Sequence, residues 1–154
     1  MCLVVLMFYG IWRWESAREI VVTMSMEPET LIADGRSFAT LRFLVTDPDG
    51  TPRAEDVMTL VRTKGHGQLK ANRIKTDENG VAEVDYYSYR DGPFTPVMTN
   101  EIMVTHISAG KIVGVKKQFH FEIPLSLPEE TEDGNDGKNE GNSGGHIQLG
   151  GGGG

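Results

Sequence analysis

The sequence predicts an all-β domain, a two-sheet antiparallel sandwich of seven strands. Three observations lead there. From Glu19 to Ile123 the chain reads as short runs in which apolar and polar residues alternate with period two, the pattern of strands with one buried and one wet face. Turn-forming residues separate the runs. No segment shows a convincing helical period. Seven short strands over about a hundred residues suit two packed sheets.

The runs follow in order. "EIVVTMSM" places Ile20, Val22, Met24 and Met26 on one face. "SFATLRFLVTD" sets Ala39, Leu41, Phe43 and Val45 against Thr40, Arg42 and Thr46. "EDVMTLVRT" is a third strand, and "GQLKANRIKT" a weaker fourth. "VAEVDYYSY" sets Ala82, Val84 and Tyr86 against Glu83, Asp85 and Tyr87. "EIMVTHIS" contributes Ile102 and Val104. "KIVGVKKQFHFEI" places Val113, Val115, Phe119, Phe121 and Ile123 on one side, with Lys116, Gln118, His120 and Glu122 opposite.

Two acidic glycine stretches, "VTDPDGTP" (residues 45–52) and "TDENG" (76–80), raise the question of a metal. A helix-loop-helix calcium loop needs oxygen ligands at its first, third and fifth positions, Gly at the sixth and Glu at the twelfth. Here Gly comes too early and no helices flank it. Turns need nothing further: Asp and Asn bond their own main chain, Gly takes positive φ, and Pro48 presets a turn. The expectation is turns, no metal and no cofactor.

Four motifs in order then carry a resemblance. They are Ala33-Asp34-Gly35, then Thr46-Asp47 with Gly50 and Pro52, then Gly67-Gln68-Leu69, then Thr76-Asp77 with Gly80 and Ala82. The chain from about residue 20 to 123 resembles the bacterial immunoglobulin-like domain of group 1, found in invasin- and intimin-type surface proteins. The resemblance implies a seven-stranded immunoglobulin-like sandwich used in cell-surface structures, and it carries over no catalytic residues. The segment "YRDGPFTPVMTNE" is longer than that family's usual link.

Outside the sandwich, residues 1–18 form an apolar N-terminal segment. A membrane span takes roughly 20 apolar residues, and a stretch of 10–14 such as "MCLVVLMFYGIWRW" is ambiguous between a span and other roles; it lacks the basic start and small-residue cleavage site of a secretory signal. Leu6, Phe8, Trp12 and Trp14 are the candidate anchor, and Trp12-Arg13-Trp14 has the make-up of an interfacial belt. The preferred reading is the tail of a membrane anchor or signal; a packed apolar strand and a buried helix are the alternatives. Residues 124–154, rich in Gly, Glu, Asp and Asn, are expected to be a disordered tail, with "HIQL" (146–149) as its one apolar island.

Composition bounds the partners. The net charge of −7 disfavours nucleic acid. The single cysteine, Cys2, excludes an internal disulfide and a thiolate zinc site. His66, His106, His120 and His146 show no ligand spacing, and the strand histidines are expected on solvated faces. Candidate contact residues are Tyr87 and Tyr89 of "DYYSY", read either as a sugar-stacking face or as core and sheet-edge residues, and Phe94 in the stiff Pro93–Pro96 loop. The function expected is a non-catalytic extracytoplasmic structural or adhesive module, held at a membrane or cell surface by its N-terminus, with a protein or surface-glycan partner. The alternatives are a subunit of a filament or membrane complex and a carbohydrate-binding module.

Overall fold

A computed structural model of the chain describes residues 2–108 and 115–129. It shows an immunoglobulin-like β-sandwich with an N-terminal helix. Helix α1 spans Cys2–Ser16. The strands are β1 (Val21–Glu27), β2 (Leu31–Ile32), β3 (Phe38–Thr46), β4 (Val57–Lys64), β5 (Gln68–Leu69), β6 (Arg73–Lys75), β7 (Val81–Tyr87), β8 (Asn100–His106), β9 (Lys117–Ile123) and β10 (Leu125–Ser126). One sheet has the order β1-β3-β7-β5 and the other β6-β4-β8-β9. All pairings within these two sheets are antiparallel.

The alternation read from the sequence sets the inward faces. Ala39, Leu41, Phe43 and Val45 of β3 and Tyr86 of β7 are fully buried, and Ala82 and Val84 of β7 are buried beside them. Met58, Leu60, Ile102, Val104 and Ile123 face them from the second sheet. Phe43 meets Phe121 edge to face at a centroid distance of 5.8 Å. Each such side chain contributes about 1.5–3 kcal/mol when fully buried.

Several elements differ from expectation. The weak fourth run divides: Gln68–Leu69 pairs with β7 in one sheet and Arg73–Lys75 with β4 in the other. The crossing residues stay bonded on both sides, since the Lys70 amide donates to the Asp85 carbonyl (2.9 Å) and the Leu60 amide to that of Asn72 (2.8 Å). The N-terminal segment is a helix, which sets aside the alternative of a packed apolar strand. The last strand begins at Lys117, and Val113 lies outside the described residues.

Residues 124–129, expected to open a disordered tail, are instead in place against the sandwich. Leu125–Ser126 forms strand β10, parallel to β2. The Leu31 amide donates to the Pro124 carbonyl (3.1 Å) and the Ala33 amide to that of Ser126 (2.9 Å). Leu31 is thereby sealed in the core. The expectation of disorder over 130–154, and the "HIQL" island, lie outside the described residues.

The register defines two poles. Val21, Thr46 and Val81 lie at one, with His106 and Lys117 of the second sheet. Phe38, Tyr87, Asn100 and Ile123 lie at the other. Chain enters β1 from α1 at the first pole and leaves β10 at the second. Seven-residue strands separate the poles by roughly 20–25 Å.

A chain ending at Ile123 is expected to be less stable than one ending at Glu129. It loses two backbone hydrogen bonds and the cover on Leu31, together about 2–4 kcal/mol. Chemical denaturation of the two truncations measures the difference.

Candidate functional site

Three features bear on function: the exposed helix, a polar network at its pole, and a braced loop at the far pole. In α1 every apolar side chain from Leu3 (82% exposed) to Tyr9 is open to solvent, as are Trp12 (49%) and Trp14. The anchor candidates Leu6, Phe8, Trp12 and Trp14 are thus all on one element and all uncovered. None belongs to the core cluster. The helix ends against Ala17, whose amide donates to the Arg13 carbonyl (3.1 Å). The Arg18 guanidinium lies 4.4 Å above the Trp14 ring, a cation–π contact. Among the described residues no helix is long and apolar enough to cross a membrane.

At the same pole the two acidic glycine stretches are turns, each at a corner where the chain passes between sheets. In the first, the Gly50 amide donates to the Asp47 carbonyl (2.9 Å) and the Thr51 amide to the Asp49 carboxylate (3.0 Å). In the second, the Asp77 carboxylate accepts the Asn79 and Val81 amides, both at 2.9 Å. The turns touch: the Val45 amide donates to the Gly80 carbonyl (2.9 Å), and the Val45 carbonyl accepts the Arg53 amide (3.0 Å). Gly80 has φ +73°, and a Cβ there would fall 2.6 Å from the Val45 oxygen. Only glycine fits.

Behind these turns lies a buried network. Asp56 Oδ2 accepts from Arg53 Nε (2.5 Å) and lies 2.8 Å from His106 Nε2. Arg53 Nη1 also donates to Asp47 Oδ1 at 2.7 Å. The Asp56 amide donates to Thr76 Oγ1 (2.9 Å), which in turn donates to the Arg53 carbonyl (2.6 Å). Glu55 precedes this hub at φ 65°. The residue-level expectation for His106 is overturned. It has no exposed surface, because it lies in phase with Ile102 and Val104 on the inward face of β8. His120 is on the outward face of β9, 2.8 Å from Glu101. Burial holds His106 below the usual histidine range, against the partly opposing attraction of Asp56. Its Nδ1 is buried without a hydrogen-bond partner. The pair fastens the start of β4 to the end of β8. The alternation that buries Ile102 and Val104 was the signal that could have found it.

At the far pole, residues 88–99 form a tied loop. The Asp91 carboxylate accepts the Val97 amide (3.1 Å), Thr95 Oγ1 donates to the Arg90 carbonyl (2.8 Å), and the Asp91 amide donates to the Ala33 carbonyl (3.2 Å). Asp34 anchors the loop's base. It accepts from Ser37 Oγ (2.6 Å) and the Ser37 and Arg36 amides (both 2.7 Å), and reaches Ser88 Oγ at 3.1 Å. The bond from the Ser37 hydroxyl, then the amide bonds, hold its carboxyl far below the usual carboxylate range. Asn100 Nδ2 donates to the Tyr86 hydroxyl (2.6 Å), and burial pushes that phenol up. Gly67 is required here, since a Cβ would fall 2.3 Å from the Tyr86 ring.

The three contact candidates have different neighbours. Tyr87 stands on the outer sheet face against Phe38, centroids 5.8 Å apart. Tyr89 meets His66 edge to face with centroids 5.2 Å apart, and its hydroxyl donates to the Pro96 carbonyl (3.0 Å) while accepting the Met98 amide (3.2 Å). It braces the loop. Phe94, at the tip of the turn closed by Gly92 and Thr95, is 92% exposed.

No family model matches the chain, and no curated protein does. Solved structures similar to it include the D00–D0 domain of intimin, 19% identical with a TM-score of 0.45, covering 66% of this chain and 46% of that one. A C-terminal intimin fragment, solved with the intimin-binding domain of the translocated intimin receptor, is 22% identical with a TM-score of 0.43, covering 70% of this chain and 33% of that one. A conjugative transposon lipoprotein from Bacteroides eggerthii is 11% identical with a TM-score of 0.44, covering 68% of this chain and 95% of that one. The chain thus spans less than half of either intimin structure. The immunoglobulin-like assignment rests on strand order and pairing, not on these likenesses.

Two outcomes are expected. Because the folded state holds His106 below the unfolded value of about 6.5, the unfolded chain binds more protons as pH falls below that value, and stability declines there. His106→Gln, which cannot titrate, is expected to flatten urea-measured stability between pH 7.5 and 5.5 relative to the unsubstituted chain. The depressed Asp34 carboxyl acts separately: its contribution is present above about pH 4 and is lost below it. Added calcium is expected to leave the Tm unchanged, since a ligand of the folded state alone would raise it; a rise of several degrees would assign the acidic turns to a metal.

Proposed function

We propose that the chain is a non-catalytic, extracytoplasmic structural or adhesive module, held at a membrane by α1 and offering its far pole to a protein or surface-glycan partner. One observation carries this reading: the apolar side chains of α1 from Leu3 to Tyr9 are uncovered on every side. Seven consecutive residues, Leu3 to Tyr9, sample the whole circumference of a helix with 3.6 residues per turn. A groove on a partner would bury one stripe. Lipid surrounds a helix completely, and a helix apolar all round belongs in such surroundings. At 15 residues α1 is about 22 Å long, enough to enter a bilayer. Trp12, Arg13 and Trp14 then sit at head-group depth.

The strand register supports the second half of the proposal. The loop bearing Phe94 lies at the pole opposite α1, so a membrane-seated domain directs it outward. Its hydrogen bonds fix the loop, and a rigid exposed ring costs little entropy on binding. The alternative, a subunit of a surface filament or membrane complex, would cover α1 with neighbouring copies and is distinguished by a large particle in the absence of detergent.

A chain beginning at Glu15 is expected to stay folded, with a cooperative melt, and to be monomeric and no longer float with lipid vesicles. An unfolded product would make α1 part of the fold. Phe94→Ala is expected to change stability by less than about 0.5 kcal/mol, as for an exposed residue, while lowering adhesion to the partner surface; unchanged adhesion would remove Phe94 from the contact.

A further inference from the structure

Phe94 has 92% of its surface exposed, so it touches almost nothing of its own domain and both faces of the ring are open. A ring that stacks on a sugar lies flat, with one face backed by protein. A ring open on both faces is shaped to be enclosed, as aromatic anchors are in the pockets of protein partners. The tip around it has little left to bond with. The amides of Asp91, Gly92, Thr95, Val97 and Met98 already donate to the Ala33, Thr95 and Gly92 carbonyls, the Asp91 carboxylate and the Tyr89 hydroxyl. Pro93 and Pro96 have no amide hydrogen. From Asp91 to Met98 only the Phe94 amide remains. Sugar hydroxyls pressed against such a tip would lack donors, so the fitting partner is a protein with an apolar hollow.

The chain carries a hollow of that kind at the same pole. It has a volume of about 440 Å³ and lies at the base of the Phe94 loop. Ala33, Leu127 and Pro128 supply apolar walls, and Leu127 is 60% exposed. Asp34, Arg90 and Asp91 complete the lining. The Arg90 guanidinium has no ion-pair partner among the described residues. A knob and a hollow on one pole make that pole self-complementary, which is what a two-fold pairing of identical chains requires.

We propose that the far pole docks on the far pole of a second copy, each Phe94 ring entering the hollow of the other. This rests on the reading of that pole as the contact face, and it narrows the partner to the chain itself. The unpaired Arg90 of each copy then meets the Asp34 and Asp91 carboxylates that rim the hollow of the other. The α1 helices lie at the two outer ends of the pair, so the paired copies stand on facing membranes. Two rings in two hollows make a small contact. Single chains therefore stay monomeric in dilute solution, and the pairing is felt where many copies face many.

The full chain is attached to beads through Cys2, its single thiol, so that pairing is read without relying on membrane insertion. Densely coated beads are expected to cluster. Phe94→Ala, which removes the knob, and Leu127→Asp, which puts a charge on the exposed wall of the hollow, are each expected to abolish clustering while melting with the unsubstituted chain. Mixed together, the two kinds of variant bead are expected to cluster weakly with one another, because the knob of one still enters the hollow of the other. Absence of that rescue, clustering that survives Phe94→Ala, or no clustering at all overturns pairing with a second copy. Beads that fail to cluster yet bind a printed glycan array through Phe94 assign the pole to a glycan and leave the far-pole reading in place. Beads that neither cluster nor lose any adhesion on Phe94→Ala overturn the far-pole reading as well.

Discussion

Phe43 and Phe121 meet across the space between the two sheets, and packing of this kind is what holds the sheets face to face. The single cysteine cannot supply an internal bridge. Burial of side chains from both sheets must then offset a conformational entropy cost of order 1–2 kcal/mol per ordered residue. Apolar packing is non-directional. It brings the sheets together without choosing how their ends close.

Polar ties at the poles make that choice. Asp56 joins the β3–β4 corner, β6 and β8 through Arg53, Thr76 and His106. At the far pole Asp34 and the Asn100–Tyr86 pair do the same for the loop and for β8. Asp56, His106 and Asn100 are buried, so the ties through them are worth having only when their partners are in place. His106 is the titratable member of these ties, and because burial disfavours its charged form, proton uptake there acts against the fold.

The long strands were legible because their alternation is regular and each buries one face; Ala39 to Val45 and Ala82 to Tyr86 face inward as read. The acidic turns were legible from Asp, Asn and Gly alone. The helix was not, because its residues are apolar all round and leave no period to detect. β2 and β10 are two residues each, too short for any pattern, and β10 follows Pro124 in a segment of tail-like composition. The split of β5 from β6 depends on the crossing at Lys70–Asn72, which only tertiary contacts define. In the candidate site, Phe94 could be found as an aromatic residue between two prolines in a stiff loop. The roles of His106 and Tyr89 required knowing which neighbour each ring meets.

The pairing of β2 with β10 has a mechanical meaning. The two strands run parallel, with the chain arriving at one pole and departing at the other. Tension applied between the two ends of the domain draws β2 and β10 past each other lengthwise. Sliding parallel strands must break their hydrogen bonds together rather than one after another. The bonds from Leu31 to Pro124 and from Ala33 to Ser126 therefore act as a clasp against stretching. A domain tethered at one pole and gripped at the other would resist pull through a contact of four residues, placed where the force passes.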